Sequence, residues 1–309
     1  MAHFLLALKT VAPLFLIIFT GILFSRSKVS SEAWVDVLNK YALYIGFPAL
    51  VVASLMHLKI GEQSYTQLII LNSVYIVVCM LFAYPVGKLF RFPKKTRRTL
   101  FLILPFGNIA YLGIPVLQNA LGDAILPVAA IISAVFVFWL LTLALVLVEI
   151  SGEEQLHLKT LSLNLLKNPL LLSVFAGMIL VVFRIQLPVF IADTIQFFSD
   201  SVTAVVLFSL GIFLGMQKIG RLKKWYTVFG FVVATMIILP FFYFLALKTT
   251  NLDAEFLKAS VIDAAMPLGL TPYAISLQYK LDTKLAARIV VLGTLLSVVI
   301  LPLWIAFLG

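Results

Sequence analysis

Apolar runs long enough to cross a bilayer recur along the whole chain, separated by short polar joints. A spanning helix takes about 20 apolar residues. Ten stretches qualify: roughly 4–24, 35–55, 67–87, 98–120, 124–148, 169–185, 190–216, 226–247, 256–280 and 284–307. The longest joint runs from Glu149 to Asn168, carries EISGEEQLHLKT and falls near the middle of the chain. The pattern predicts an all-α integral membrane protein of ten transmembrane helices. Residues 1–150 form a first set of five, 151–168 a linker, and 169–309 a second set.

Composition agrees with that reading. The chain is 62% hydrophobic and 12% charged, with a mean hydropathy of +1.12, which excludes an ordinary soluble domain. A net charge of +10 could suggest nucleic acid, but the cations sort by side. With alternating segments and the N-terminus outside, the inside loops hold Arg26 and Lys28; Lys88, Arg91, Lys94, Lys95, Arg97 and Arg98; Lys159 and Lys167; Lys218, Arg221, Lys223 and Lys224; and Lys280 and Lys284. The outside loops hold only Lys59, Arg184 and Lys248. This positive-inside asymmetry places both termini outside, in a plasma membrane, the bacterial inner membrane being the natural reading. The basic charge is a topology signal, and no nucleic-acid partner is expected. Segment 1 lacks a small-residue cleavage site and is read as a retained helix rather than a signal peptide. Cys79 is the single cysteine, which leaves no intramolecular disulfide and no cysteine metal cluster.

Two stretches half a chain apart carry one pattern. PLFLIIFTGIL at 13–23 and PLLLSVFAGMI at 169–179 share Pro13/Pro169, Leu14/Leu170, Leu16/Leu172, Phe19/Phe175 and Gly21/Gly177, at an offset of 156. PALVVASL at 48–55 matches TAVVLFSL at 203–210, Pro85 matches Pro240, and Asp123 matches Asp282 at an offset of 159. Five segments per half is an odd number, so the two halves enter the membrane in opposite directions. Such an inverted repeat points to a secondary transporter with its site on paired, broken helices.

Segments 4 and 9 carry the breaks. Pro105, Gly107, Gly113 and Pro115 crowd the middle of segment 4, and Pro267, Gly269 and Pro272 that of segment 9. An interior proline costs about 3 kcal/mol in a helix, and a glycine about 1 kcal/mol relative to alanine. Within a bilayer, unpaired backbone is tolerated only inside protein or beside a water-filled cavity, so each break implies a polar interior site at mid-depth. Pro115 and Pro272 stand where a helix would restart, a position at which the missing N–H costs nothing, and Thr271 is the expected N-cap. Two half-helix N-termini, each equivalent to about half a positive charge, would meet there and attract an anion such as a carboxylate. The repeat register sets Asn108 opposite Pro267 and Gly113 opposite Pro272.

At these residues the chain resembles the auxin efflux carrier family, which includes plant auxin carriers and bacterial malate and malonate permeases. The resemblance is carried by LNKYALYIGFPAL (38–50), FGNIAYLGIPV (106–116), KNPLLLSVFAGMIL (167–180), DSVTAVVLFSLG (200–211) and AAMPLGLTPYAISLQYKLD (264–282). It implies two inverted five-helix repeats with crossing helices 4 and 9, a fold shared with sodium/proton antiporters and bile-acid symporters. It also implies carboxylate substrates and alternating access. By motif it brings Asn108, Gly113, Pro115 and Pro267 to the substrate. The chain departs from the family pattern at Thr203, where proline is usual, at Thr271-Pro272, and in lacking the long plant loop.

Asn108 can donate two hydrogen bonds and accept others, as a substrate ligand or as a cap on its own broken helix. Tyr111 adds a hydroxyl nearby. Asp263 falls just before the break in segment 9. An ionisable group at that depth costs roughly 2.5–3.5 kcal/mol on insertion and is a functional candidate by default. Asp263 is therefore the first candidate for a coupling ion, proton or sodium, unless it lies shallower or pairs with Lys258; Asp200 is the second. His3, His57 and His157 have no ligand spacing, so neither a metal nor a cofactor is expected.

The sequence thus predicts a secondary active transporter of small organic anions such as malate, malonate or aromatic acids, driven by an ion gradient or membrane potential. Its expected partners are the carboxylate and the bilayer, with a homodimer as the candidate assembly. A cation/proton antiporter of the same fold is the alternative. An intramembrane enzyme is more remote, because Pro48-Ala49-Leu50 lacks the paired aspartates of an aspartyl protease and no Gly-x-Ser-x-Gly motif occurs.

Overall fold

Capping residues and prolines divide the chain into helices much where the apolar pattern divides it. The computed structural model describes residues 2–56, 65–151, 166–217 and 225–309. Most of the linker 151–168, together with His57, Lys59, His157, Lys159, Lys218, Arg221, Lys223 and Lys224, lies outside them. The first half contains α1 (Ala2–Phe24), α2 (Glu32–Tyr41), α3 (Phe47–Met56), α4 (Tyr65–Leu89), α5 (Lys94–Ile103), α6 (Ile114–Leu121), α7 (Leu126–Trp139) and α8 (Leu145–Ile150). The second contains α9 (Pro169–Val182), α10 (Val189–Met216), α11 (Trp225–Val233), α12 (Leu239–Leu247), α13 (Ala254–Ala264), α14 (Leu270–Gln278) and α15 (Thr283–Leu308). Wider π-helical turns at Ala42–Gly46, Leu140–Ala144 and Ala234–Ile238 join α2 to α3, α7 to α8 and α11 to α12. No strand forms among the described residues beyond one isolated bridge.

Seven of these helical stretches are long and apolar enough to cross a membrane: Phe4–Phe24, Glu32–Met56, Tyr65–Leu89, Asp123–Ile150, Val189–Met216, Trp225–Leu247 and Thr283–Leu308. The other three expected segments depart from full length for local reasons. Segments 4 and 9 are each broken into two pieces, α5/α6 and α13/α14. Segment 6 is the short α9, opened by Asn168, whose side chain accepts from Leu170 N at 3.0 Å and Leu171 N at 3.1 Å. Pro169 follows at the position where a proline fits a helix start. Asp253 and Asp282 cap α13 and α15 in the same way.

Packing exchanges partners between the halves. α1 lies along α10, and α9 lies along α3. The first contact is a backbone approach at Gly21 and Gly211, where a side chain on either would run into the opposite helix. Leu16, Phe175 and Phe197 are among many large apolar side chains left exposed, as hydrocarbon around the molecule requires. The deepest region is the neighbourhood of the two broken segments: every residue from Val261 to Leu270 is buried.

Candidate functional site

The first broken segment leaves its helix after Ile103, runs unwound through residues 104–108, and re-enters through a π-helical turn at Ile109–Gly113 before α6. The second leaves after Ala264 and re-enters at Leu270. The two unwound stretches cross and pair. Gly107 and Leu268 form an antiparallel bridge, and Asn108 N donates to Pro267 O at 2.6 Å. This bond satisfies backbone groups that the breaks leave outside the helices, the condition under which irregular backbone survives inside a bilayer. Gly107 is required by the closeness of the crossing, since a Cβ there would stand 2.9 Å from Met266 Cβ.

Asn108 is the N-cap residue of the π-helical turn, and its carbonyl accepts from Leu112 N and Gly113 N, both at 3.0 Å. Its side chain makes no capping bond, is only 3% exposed, and leaves Nδ2 without a partner among the described residues. Asp263, in the last turn of α13, is fully buried, and neither carboxylate oxygen has a hydrogen-bond partner among the described residues. It lies against residue 113: a Cβ built on Gly113 would stand 2.5 Å from Asp263 Oδ1. Leaving such groups unpaired costs about 1–3 kcal/mol each, more for a charged one, so the crossing is built with unmet polar capacity at its centre.

Aromatic pairs flank both helix restarts. Tyr111 meets Phe47 of α3 edge-on at 5.1 Å, and Tyr273 of α14 meets Phe213 of α10 edge-on at 5.2 Å. Pro115 and Pro272 are buried in the first turns of α6 and α14. Behind Asp263 a polar seam continues along α13. Ser260, one turn earlier on the same face, accepts from Asn72 Nδ2 of α4 at 3.0 Å, while Asn72 Oδ1 has no partner among the described residues. Tyr75 and Tyr243 stack at 4.3 Å beside it.

The outer arms of the crossing are tied at one end of the molecule. Thr96 Oγ1 of α5 donates to Asp282 Oδ2 at 2.7 Å, and Asp282 N donates to Thr99 Oγ1 at 3.0 Å. Arg98 Nη2 donates to Val148 O at 2.9 Å, and Tyr279 Oη donates to the buried Glu149 at 2.9 Å. Asp123, the repeat counterpart of Asp282, is exposed and accepts from its own neighbour Gln118 at 2.9 Å.

The structure brings Asn108, Gly113, Pro267 and Asp263 together, with Tyr111, Pro115 and Pro272 on the adjoining turns. Thr271 shares the first turn of α14 with Pro272 but is exposed, and Asp200 stands apart, exposed and accepting from Gln196 Nε2 at 2.6 Å. One expectation is corrected. Gly269, not Thr271, is the N-cap of α14, which begins at Leu270 and so takes Thr271 into its first turn. Gly113 faces Asp263, a contact that a register pairing equivalent positions does not give. Sequence reasoning passed over Asn72, Ser260, Phe213 and Tyr273. A lone asparagine inside the apolar run of segment 3 was the available signal for the first.

Comparison with known proteins extends over nearly the whole chain. Residues 6–305 match the family described as "Membrane transport protein". The chain is 25% identical over 302 residues to a "Putative malonate transporter" of Rhizobium meliloti (strain 1021), covering 93% of this chain and 91% of that protein. It is 23% identical over 288 residues to an uncharacterized transporter of Methanocaldococcus jannaschii, covering 89% and 90%. It is 30% identical over 152 residues to "Auxin efflux carrier component 2" of Oryza sativa subsp. japonica, covering 47% of this chain and 24% of that one.

Proposed function

The chain belongs to the membrane transport protein family, a family of transporters and not of enzymes, and from that premise we propose that it carries small carboxylates across the bilayer by alternating access. The cargo carboxylate sits at the crossing of the two broken segments, and Asp263 takes up the coupling ion. The observation that carries this reading is the unmet polar capacity there: two helix starts, and an Asn108 Nδ2 and a buried Asp263 carboxylate that have no partner among the described residues. Free N–H groups at helix starts favour anions. A buried carboxylate needs a neutralising partner, a proton or a small cation, and that need is what a coupled carrier exploits. The name of the Rhizobium meliloti relative makes malonate the first cargo to try.

Several features support an arrangement as two inverted five-helix repeats. Gly21 of α1 abuts α10, while its repeat mate Gly177 of α9 abuts Leu55 of α3. The aromatic pairs Phe47–Tyr111 and Phe213–Tyr273 link equivalent helices. The cation distribution supports a plasma-membrane protein with both termini outside.

Asp263, buried and without a partner among the described residues, also favours a second reading, a cation/proton antiporter. Gradient-driven uptake of radiolabelled malonate, malate and phenylacetate into proteoliposomes separates the two. Accumulation of a carboxylate that collapses with the proton or sodium gradient is expected. Sodium/proton exchange with no carboxylate movement would establish the antiporter instead.

A further inference from the structure

The charge inventory around the crossing limits the charge of the cargo. The buried polar side chains among the described residues include two acids, Asp263 and Glu149, and no lysine, arginine or histidine. Every described lysine and arginine is at least partly exposed. Lys258, on the same helix as Asp263, lies five residues earlier, and Glu149 is engaged by Tyr279 at the far end of the arms. The other titratable side chains facing this region are Tyr111 on the π-helical turn, Tyr243 on α12, and Tyr75 and Cys79 on α4, none of which supplies positive charge.

Among the described residues, attraction for an anion at the crossing therefore comes from neutral donors only. These are Asn108 Nδ2 and the N–H groups opening the helical stretches Ile109–Leu121 and Leu270–Gln278. Each helix start is equivalent to about half a positive charge, so the pair balances roughly one negative charge. A second carboxylate on the cargo would be left without a counter-charge in a buried site that already holds Asp263.

We propose that the transported species is a monoanion: a monocarboxylate, or a dicarboxylate that keeps one proton. The inference rests on the reading of the crossing as a carboxylate seat. Among the described residues no fixed cation stands at that seat to select for a dianion, and this is what distinguishes the two charge states.

The test compares malonate with monomethyl malonate, which has one ionisable carboxyl, in counterflow exchange with wild-type proteoliposomes. The apparent KM of each is measured at a series of pH values spanning the second ionisation of malonic acid. Taking the ratio of the two at each pH cancels any titration of the protein. The ratio KM(malonate)/KM(monomethyl malonate) is expected to rise about tenfold per pH unit above that ionisation, because only hydrogen malonate is carried. A ratio that stays flat or falls while malonate still exchanges would overturn the monoanion inference and leave the carboxylate reading standing. If neither compound exchanges, the reading and the inference fall together.

Discussion

Asp263 and residue 113 constrain each other. With Oδ1 only 2.5 Å from where a Cβ on Gly113 would stand, Gly113→Ala must push the carboxylate or the π-helical turn aside. Overpacking of this kind costs about 1–3 kcal/mol, and it falls on the carboxylate proposed to take up the coupling ion. Gly113→Ala is expected to cut uptake severalfold with the protein still folded, measured against its abundance in the membrane. Asp263→Asn keeps the shape and removes the titratable oxygen. Counterflow should persist in Asp263→Asn while accumulation against a proton or sodium gradient disappears. Unchanged accumulation would remove Asp263 from coupling. Tyr111 and Tyr273 illustrate what spacing alone conceals: Tyr111 was legible as a hydroxyl beside the break, but nothing along the chain says that each tyrosine meets a phenylalanine from another helix.

The broken segments were legible as elements because proline and glycine act locally, at Pro105 to Pro115 and Pro267 to Pro272. Their restart points were less so. A threonine before a proline resembles a cap, yet the backbone turns helical at Leu270 with Gly269 in the cap position. The helix after Asn108 begins with a π-helical turn, an irregularity common at functional sites, that no residue type announces. The ties between the arms are likewise products of the crossing. Asp282 caps α15 and holds both Thr96 and Thr99, whereas its repeat mate Asp123 holds only a neighbour on the surface. Asp282→Ala should therefore lower stability by about 2–3 kcal/mol, from the lost cap and the lost Thr96 hydrogen bond to the carboxylate, while the backbone bond from residue 282 to Thr99 remains. Asp123→Ala should change it by less than about 0.5 kcal/mol. Thermal unfolding in detergent reads the difference, and equal effects would contradict the asymmetry.

For the whole molecule, helices pack across the two halves of the chain, and the two broken segments meet between them. α1 and α9 each pack on a helix of the other half, and the unwound stretches meet where Asn108 N reaches Pro267 O. The apolar runs conveyed the membrane class. The polar seam behind Asp263 was not legible, because Asn72 and Ser260 are separated by 188 positions and meet only in the folded protein. The central claim is that the cargo carboxylate sits at this crossing, held in part by Asn108. Malonate counterflow in Asn108→Ala tests it most directly, since exchange needs no coupling ion. Loss of one donor to a charged group, about 1.5 kcal/mol, predicts an apparent KM raised about tenfold; a KM equal to that of the wild type would contradict the account.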